Sequence, residues 1–185
     1  MNKIKLALLV SGVLFTSANA FAVDKGTVEF TGALTSDTCK IIDADINKKV
    51  KLPTLSTQVI KANGDEGGWT RFEIHVEDCA PGVTKVAAHF EGNGFGTVDP
   101  TTGFLKNLEA GGADNVQIAI RNKDGAGAGD EKIKIGGTGE YFDVTKGNGA
   151  DANKAMLVYE GGYYAVGTTT AGPVKAKTIY TLAYQ

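Results

Sequence analysis

The sequence predicts an all-β protein, most economically one sandwich of two antiparallel sheets. Short segments alternate apolar and polar residues with a period of two, as in "TRFEIHVED" at 70–78, where Phe72, Ile74 and Val76 share one face. The 25 glycines cluster between such segments and there are only four prolines, a distribution typical of strands joined by tight turns. No helical period extends beyond about two turns.

The candidate strands follow one another along most of the chain. They are "TCKIIDAD" (38–45), "KKVKLP" (48–53), "TRFEIHVED" (70–78), "TKVAAHFEG" (84–92), "DNVQIAIRN" (114–122), "EKIKI" (131–135), "KAMLVYE" (154–160), "GYYAVG" (162–167) and "PVKAKTIYTLAY" (173–184). Two further segments, "LSTQVIK" (55–61) and "TGFLKNL" (102–108), favour short helical turns. In the last segment the even positions share one face, which predicts a long strand with one buried side.

Residues 1–22 have the features of a secretory signal peptide, with Lys3 and Lys5 ahead of an apolar run and small residues at the end. Cleavage fits after Ala20 or Ala22, and we favour Ala22. The apolar run is too short for a permanent anchor, so we expect no membrane insertion. Loss of the two lysines lowers the formal net charge from −2 to −4, with 17 basic against 21 acidic residues, which argues against nucleic acid as a partner.

Cys39 and Cys79 are the two cysteines of the chain. An exported protein passes through an oxidising compartment, so we interpret the pair as one disulfide. Two free thiols or a metal pair are the alternative, which is weaker because a soft-metal site needs more than two ligands.

The sequence contains no recognisable catalytic, cofactor or metal motif. Ser36 and Ser56 lie outside a nucleophile elbow, and His75 and His89 fall on the solvent-facing sides of their strands. The glycine-rich "GNGFG" and "GAGAG" precede no helix that could receive a phosphate, so we interpret them as turns. "DADIN" at 43–47 lacks the glycine and distal glutamate of a calcium loop, and we expect it to be a solvated strand end.

The segment "GTVEFTGAL" at 26–34 is a second alternating stretch near the start of the exported chain. Gly26, Val28, Phe30, Gly32 and Leu34 lie on one side of it. From the pattern alone it could be the first strand of its own domain or an arm placed in a neighbouring molecule.

Four features together resemble the major pilin subunits of chaperone-usher fimbriae, of the type 1 kind. They are the segment "GTVEFTGALTSDTC", the two cysteines forty positions apart, the "VEDC" that ends a strand at the second cysteine, and a C-terminal signature. In that signature Gly172 is fourteenth from the end and Tyr184 is next to last.

The resemblance implies an incomplete immunoglobulin-like sandwich that lacks its seventh strand and is completed by donor-strand exchange. It divides the exported chain into a donor-strand arm (23–38), carrying Gly26, Val28, Phe30, Gly32 and Leu34, and a pilin domain (39–185). The implied partners are identical subunits in a head-to-tail polymer, a periplasmic chaperone and the outer-membrane usher. The chaperone-recognition and groove-edge residues would be Gly172, Val174, Tyr180, Leu182 and Tyr184. The resemblance also implies export through the periplasm to a fimbrium on the cell surface, a role in adhesion, and no cofactor.

Three other interpretations stay open at this point. A minor adaptor subunit of the same fimbria would have much the same sequence. A freestanding carbohydrate-binding sandwich would require Trp69, Tyr163 and Tyr164 to converge on one exposed surface. An exported enzyme is the weakest alternative, because the sequence lacks a catalytic constellation.

Overall fold

The computed structural model describes residues 26–34, 38–123, 131–147, 149 and 152–185. The chain divides after Leu34 into two units, Met1–Leu34 and Thr35–Gln185. In the first unit, residues 26–34 form neither strand nor helix and are all exposed. The expected signal peptide at 1–22 and the glycine-rich segment at 124–130 lie outside the described residues.

The described part of the second unit is nearly all strand and connecting loop, as the alternation predicts. Its elements are β1 (Lys40–Ile41), α1 (Asp43–Ile46), β2 (Glu66–Glu77), β3 (Lys85–Gly92), β4 (Leu105–Lys106), β5 (Val116–Asn122), β6 (Lys132–Ile133), β7 (Phe142–Asp143), β8 (Ala155–Ala165) and β9 (Thr178–Tyr184).

The strands form two antiparallel sheets. One has the order β1-β2-β8-β5-β4, with β6 also paired to β5, and the other has the order β7-β3-β9. In the first sheet, β8 lies between β2 and β5, so Gly161 is flanked by Thr70 on one side and Ile120 on the other. In the second sheet, Phe90 of β3 lies opposite Tyr180 of β9. The predicted sandwich of antiparallel sheets is confirmed.

The core forms where alternate residues of both sheets face inward. Tyr159 is its largest fully buried side chain, and its ring meets that of Phe90 edge to face with centroids 5.2 Å apart. The Tyr159 hydroxyl accepts a hydrogen bond from the Ala88 N–H (2.9 Å) and donates one to the Glu140 carbonyl (3.2 Å). Burial raises the pKa of Tyr159 far above its ordinary value, so the phenol stays neutral. Other core members are Ile74, Val76, Val86, Ala88, Ile120, Ile133, Val144 and Leu157.

Cys39 and Cys79 form a disulfide, which confirms the predicted pairing. It joins the residue before β1 to the loop after β2, and the Ala80 N–H donates a 3.0 Å hydrogen bond to the Thr38 carbonyl beside it. In the chain-entropy description, a link across 40 positions stabilises the fold by about 4 kcal/mol.

Several elements differ from the prediction. Segments 154–160 and 162–167 form a single strand, β8, because Gly161 and Gly162 continue the extended backbone instead of turning it. Segment 102–108 contains β4 where a helical turn was expected, 55–61 forms turns without a helix, and β7 was missed because it has only two residues. Segment 48–53 forms no strand, and the last strand begins at Thr178, not at Pro173.

Candidate functional site

The candidate site is an open groove beside β9. β9 pairs with β3 along one edge, and in the described ranges its other edge has no strand partner. Facing it lies the segment Ile46–Leu52, which begins at the last residue of α1 and forms no strand. Segments 48–53 and 173–177, which the sequence predicts as strand, flank this groove on its two sides. Neither forms a strand, because in the described ranges no strand lies between them for either to pair with.

The groove has a volume of about 1110 Å³ and an apolar floor. Its walls are Ile46–Leu52 on one side and Val174–Tyr180 on the other. Both sheets contribute to the floor, which is lined by Phe72, Ile74, Phe90, Leu105, Ile118, Ile120, Gly161 and Tyr163. An exposed strand edge above apolar side chains is the arrangement that a further strand can complete.

The side chains of the last segment alternate as the sequence predicts. Val174, Ala176, Thr178, Tyr180 and Leu182 are half-buried, whereas the odd-numbered residues from Lys175 to Thr181 are exposed. The even face is only half-buried because the groove above much of it is open. Tyr184, the penultimate residue, accepts a 3.1 Å hydrogen bond on its hydroxyl from the backbone N–H of Cys39.

Gly172 lies at the other end of this wall, against the loop after β4. A Cβ at this position would come within 2.6 Å of the backbone nitrogen of Ala113, so a side chain does not fit. The neighbouring Pro173 carbonyl accepts hydrogen bonds from the Ala113 N–H (3.0 Å) and from the Asn107 side chain (3.1 Å). A glycine is therefore needed here for packing within the subunit itself.

Asp45 of α1 fixes the start of the opposite wall and is 1% exposed. Its carboxylate accepts a hydrogen bond from the His75 N–H (2.8 Å), lies 2.9 Å from His75 Nδ1 and pairs with the Lys48 ammonium. Burial alone would raise the pKa of Asp45, but the hydrogen bonds from Lys48 and His75 outweigh it and hold the pKa below its ordinary value. The expectation of a solvated strand end at 43–47 was wrong, because residues 43–46 form α1 and this pairing buries Asp45, although the other residues of the segment are exposed. His75 keeps part of its side chain exposed, as expected, but is bonded to Asp45.

The profile of the family described as "Type-1 fimbrial protein, A" matches residues 52–185. The chain belongs to this fimbrial family. The subunit is 39% identical to the F17 fimbrial protein of Escherichia coli, over 98% of this chain and 99% of that one. It is 32% identical to long polar fimbria protein A of Salmonella typhimurium, over 100% and 98% of the two chains.

Solved structures agree with the fold of this fimbrial subunit. A chaperone-usher pilus structure matches with a TM-score of 0.57 at 19% identity, over 91% of this chain and 100% of that one. The P pilus rod subunit PapA matches with a TM-score of 0.56 at 19% identity, over 80% and 99% of the two chains. The fold is the incomplete immunoglobulin-like sandwich of chaperone-usher pilins, which are structural proteins and not enzymes. The predicted family and fold class are confirmed.

In the first unit of the subunit, the large apolar side chains of residues 26–34 are exposed. We call this set, Val28, Phe30 and Leu34, the apolar comb. Val28, Phe30 and Leu34 are 77%, 91% and 104% exposed, and Gly26 and Gly32 alternate with them along the chain. Three large apolar side chains exposed within seven residues are typical of an interaction segment.

The rim of the groove is basic. Lys48, Lys49 and Lys51 lie along one wall and Lys175 and Lys177 along the other, and all five are exposed. Lys48 pairs with Asp45, and Lys175 lies 4.0 Å from Glu109. Sequence analysis missed this rim because the five lysines come from two segments more than a hundred positions apart, and only the fold brings them to one groove.

The three aromatic residues that a sugar-binding surface would need do not converge. Tyr163 lines the groove and donates a 3.1 Å hydrogen bond to the Pro53 carbonyl, and burial raises its pKa. Tyr164, its neighbour in β8, points to the other face and packs on Phe104 with ring centroids 4.9 Å apart. Trp69 is stacked under the Arg121 guanidinium at 4.1 Å. All three are half-buried and serve packing within the sandwich.

No helix in the described ranges combines the length and the apolar character needed to cross a bilayer.

Proposed function

We propose that this subunit polymerises head to tail by donating residues 26–34 as a strand to the groove of a neighbouring subunit. The observation that carries the proposal is the unpaired edge of β9 above an apolar floor, in a chain whose N-terminal segment exposes a matching apolar comb. The added strand would pair with β9 and place Gly26, Val28, Phe30, Gly32 and Leu34 against the floor. The Cys39–Cys79 disulfide holds β1 next to β2, and the shape of the groove depends on this pairing.

Hydrophobic burial favours this strand addition. Covering Val28, Phe30 and Leu34 contributes about 1.5 to 3 kcal/mol each, before the main-chain hydrogen bonds are counted. The register is fixed, because a slip of one residue would turn Thr27, Glu29 and Thr31 toward the apolar floor. A strand donated from one surface into a groove on another is a heterologous contact, and its repetition without closure gives a fibre.

Before assembly the open groove would promote aggregation, because it leaves a strand edge unpaired over apolar residues. We infer that a periplasmic chaperone first covers the edge formed by Gly172, Val174, Tyr180, Leu182 and Tyr184, and that the outer-membrane usher exchanges the chaperone for the next arm. Export through the periplasm, after removal of residues 1–22, then leads to a surface fimbria that supports adhesion. We assign this chain to the repeating shaft rather than to a minor adaptor.

Substitution of Gly32 tests the arm. Gly32→Leu adds a bulky side chain on the face that enters the groove, and we expect it to block fibre formation while soluble, disulfide-bonded subunit still accumulates in the periplasm. Ala33→Leu is the matched control, since it adds similar bulk on the opposite face of the same strand and should leave fibres intact. Normal fibres from Gly32→Leu, or equal loss from both variants, would contradict the assignment of residues 26–34 as the inserted strand.

A further inference from the structure

Asn93 is followed by Gly94 in the loop after β3, and this dipeptide is one of three Asn-Gly pairs in the chain. Asn93 is half-buried and lines the groove, whereas Gly94 is exposed. A second pair, Asn63 and Gly64, lies in the turn before β2 and is exposed. The asparagine of the third pair, at position 148, lies outside the described residues. The structure therefore places two Asn-Gly pairs in different surroundings.

The two pairs differ in how the glycine nitrogen is held. The Gly64 N–H donates a 2.9 Å hydrogen bond to the Ala165 carbonyl. Asp65, the next residue, caps the same turn, because its carboxylate accepts two hydrogen bonds from backbone N–H groups (2.9 and 2.8 Å). The Gly94 N–H has no acceptor among the described residues, although the Gly94 carbonyl accepts a 2.8 Å hydrogen bond from the Thr97 hydroxyl. The nitrogen of Gly94 is therefore free to turn, whereas that of Gly64 is not.

We propose that Asn93 is a site of spontaneous deamidation, and that the fold protects Asn63 from the same reaction. The nitrogen of Gly94 attacks the side-chain carbonyl carbon (Cγ) of Asn93. The N–Cγ bond forms as the Cγ–Nδ2 bond breaks, and the amide leaves as ammonia with the proton of the Gly94 N–H. Water then opens the cyclic imide at either carbonyl and leaves aspartate or isoaspartate at position 93. Glycine favours the attack because it has no side chain to hinder a close approach.

Formation of the imide requires the glycine nitrogen to turn toward the asparagine side chain. At Asn63 this movement breaks the hydrogen bond from the Gly64 N–H and distorts the capped turn. The net contribution of one hydrogen bond corresponds to a rate difference of up to about tenfold. At Asn93 no such bond has to break, and the exposed loop at 94–96 can open locally at little cost in free energy. The reaction is therefore expected at Asn93 and suppressed at Asn63.

Deamidation at Asn93 changes the groove. Gly92, the residue before it, pairs with Thr178 of β9, and Asn93 and Lys177 line the groove next to this pair. Aspartate at position 93 adds a negative charge beside the basic rim. Isoaspartate adds the same charge and also lengthens the backbone by one methylene where β3 ends. The subunit therefore acquires negative charge at the groove as it ages, and this inference does not depend on strand donation.

The test compares the two asparagines within one molecule. Mature subunit purified from cells is incubated at neutral pH, and peptide mass spectrometry follows aspartate and isoaspartate at each position. We expect conversion at Asn93 to be up to about tenfold faster than at Asn63, the factor given by one hydrogen bond. Subunit unfolded in urea should react at similar rates at both positions, because each asparagine then precedes an unrestrained glycine. Asp65→Ala, which removes the cap of the protected turn, should speed conversion at Asn63 and leave the rate at Asn93 unchanged.

Three results would overturn the assignment. The first is an Asn93 that stays unmodified or converts no faster than Asn63 in the folded subunit. The second is the same ratio of rates in the folded and the unfolded subunit, which would assign the difference to sequence and not to the fold. The third is a rate at Asn63 that Asp65→Ala leaves unchanged. If this variant fails to fold, the wild-type comparison of folded with unfolded subunit decides the question without it.

Discussion

The hydroxyl of Tyr180 donates a 2.7 Å hydrogen bond to the backbone carbonyl of Asp45. Tyr180 belongs to β9 and Asp45 to α1, so this bond joins the two walls of the groove at one end. Partial burial and the nearby Asp45 carboxylate raise the pKa of Tyr180, so the phenol keeps the proton that it donates. This bond therefore links β9 directly to α1 at this end of the groove.

Tyr180→Phe removes this bond and keeps the ring. We expect a loss of about 1 kcal/mol in stability, the usual net contribution of one hydrogen bond. Because the bond joins the walls, the strand held between them should also dissociate faster. Urea-induced release of subunits from purified fibres measures both effects, and a Tyr180→Phe fibre identical to the wild type in midpoint and rate would show that the bond does not set the groove.

Asp45 predicts a specific acid dependence. Its pKa is lower in the folded state than the ordinary value of 3.8, so its contribution to stability is fully present above that value and is lost as pH falls through the lower, folded-state pKa. Asp45→Asn lacks this contribution at neutral pH. The difference in urea midpoint between wild-type and Asp45→Asn fibres should be largest near neutral pH and shrink in acid below the ordinary value. A difference that is constant over this range would contradict the role of the carboxylate.

Gly172→Ala tests whether the glycine at position 172 is needed for packing within the subunit and not only for recognition by the chaperone. A Cβ there would lie 2.6 Å from the Ala113 nitrogen, so we expect the subunit itself to lose about 1 to 3 kcal/mol through overpacking. The variant should accumulate poorly in the periplasm and its disulfide-bonded form should be more sensitive to protease. Gly111→Ala, in the loop after β4 against which Gly172 packs, offers a contrast, because a Cβ there meets nothing within 4 Å and the strain is confined to a positive φ of 68°. Equal protease sensitivity of Gly172→Ala and the wild type would remove the packing argument.

Glu29 is the one charged residue of the described arm, and on the inserted strand it would face outward between the lysines of the rim. Glu29→Gln should lower the urea midpoint of fibres by the equivalent of about 0.2 to 1 kcal/mol per subunit, and the effect should vanish at high salt because exposed charges are screened. Thr31→Gln places the same side chain two residues further along the same face and serves as the control. A Glu29→Gln effect that is independent of salt would argue against the rim lysines as its origin.

Sequence patterns predicted the strands that bury a continuous face, because alternation reports burial directly. Phe72, Ile74 and Val76 on β2 and the even face of β9 are examples. The same patterns overpredicted strands at 48–53 and 173–177, where the side chains alternate but the backbone lacks a neighbour to pair with. A pattern of side chains indicates which face a segment can bury, and it does not report whether a partner strand lies beside that segment.

The remaining features of the site could not be predicted because they depend on distant segments meeting. Asp45 lies in a polar stretch, and its burial follows from His75 thirty positions later. Gly161 falls between two strands predicted from the sequence, and its place within β8 on the groove floor depends on the pairing of β8 with both β2 and β5. Lys49 and Lys177 are ordinary surface lysines until the fold places them on the two sides of one groove.

The central claim is that the groove is filled by residues 26–34 of another molecule, and a peptide competition tests it most directly. A synthetic peptide of residues 23–36 is added to purified mature subunit before polymers form, alongside the same peptide with Phe30→Asp. We expect the native peptide to bind one to one and to suppress concentration-dependent polymerisation, with no effect of the Phe30→Asp peptide. A mature subunit that stays monomeric at all concentrations and binds neither peptide would contradict the account.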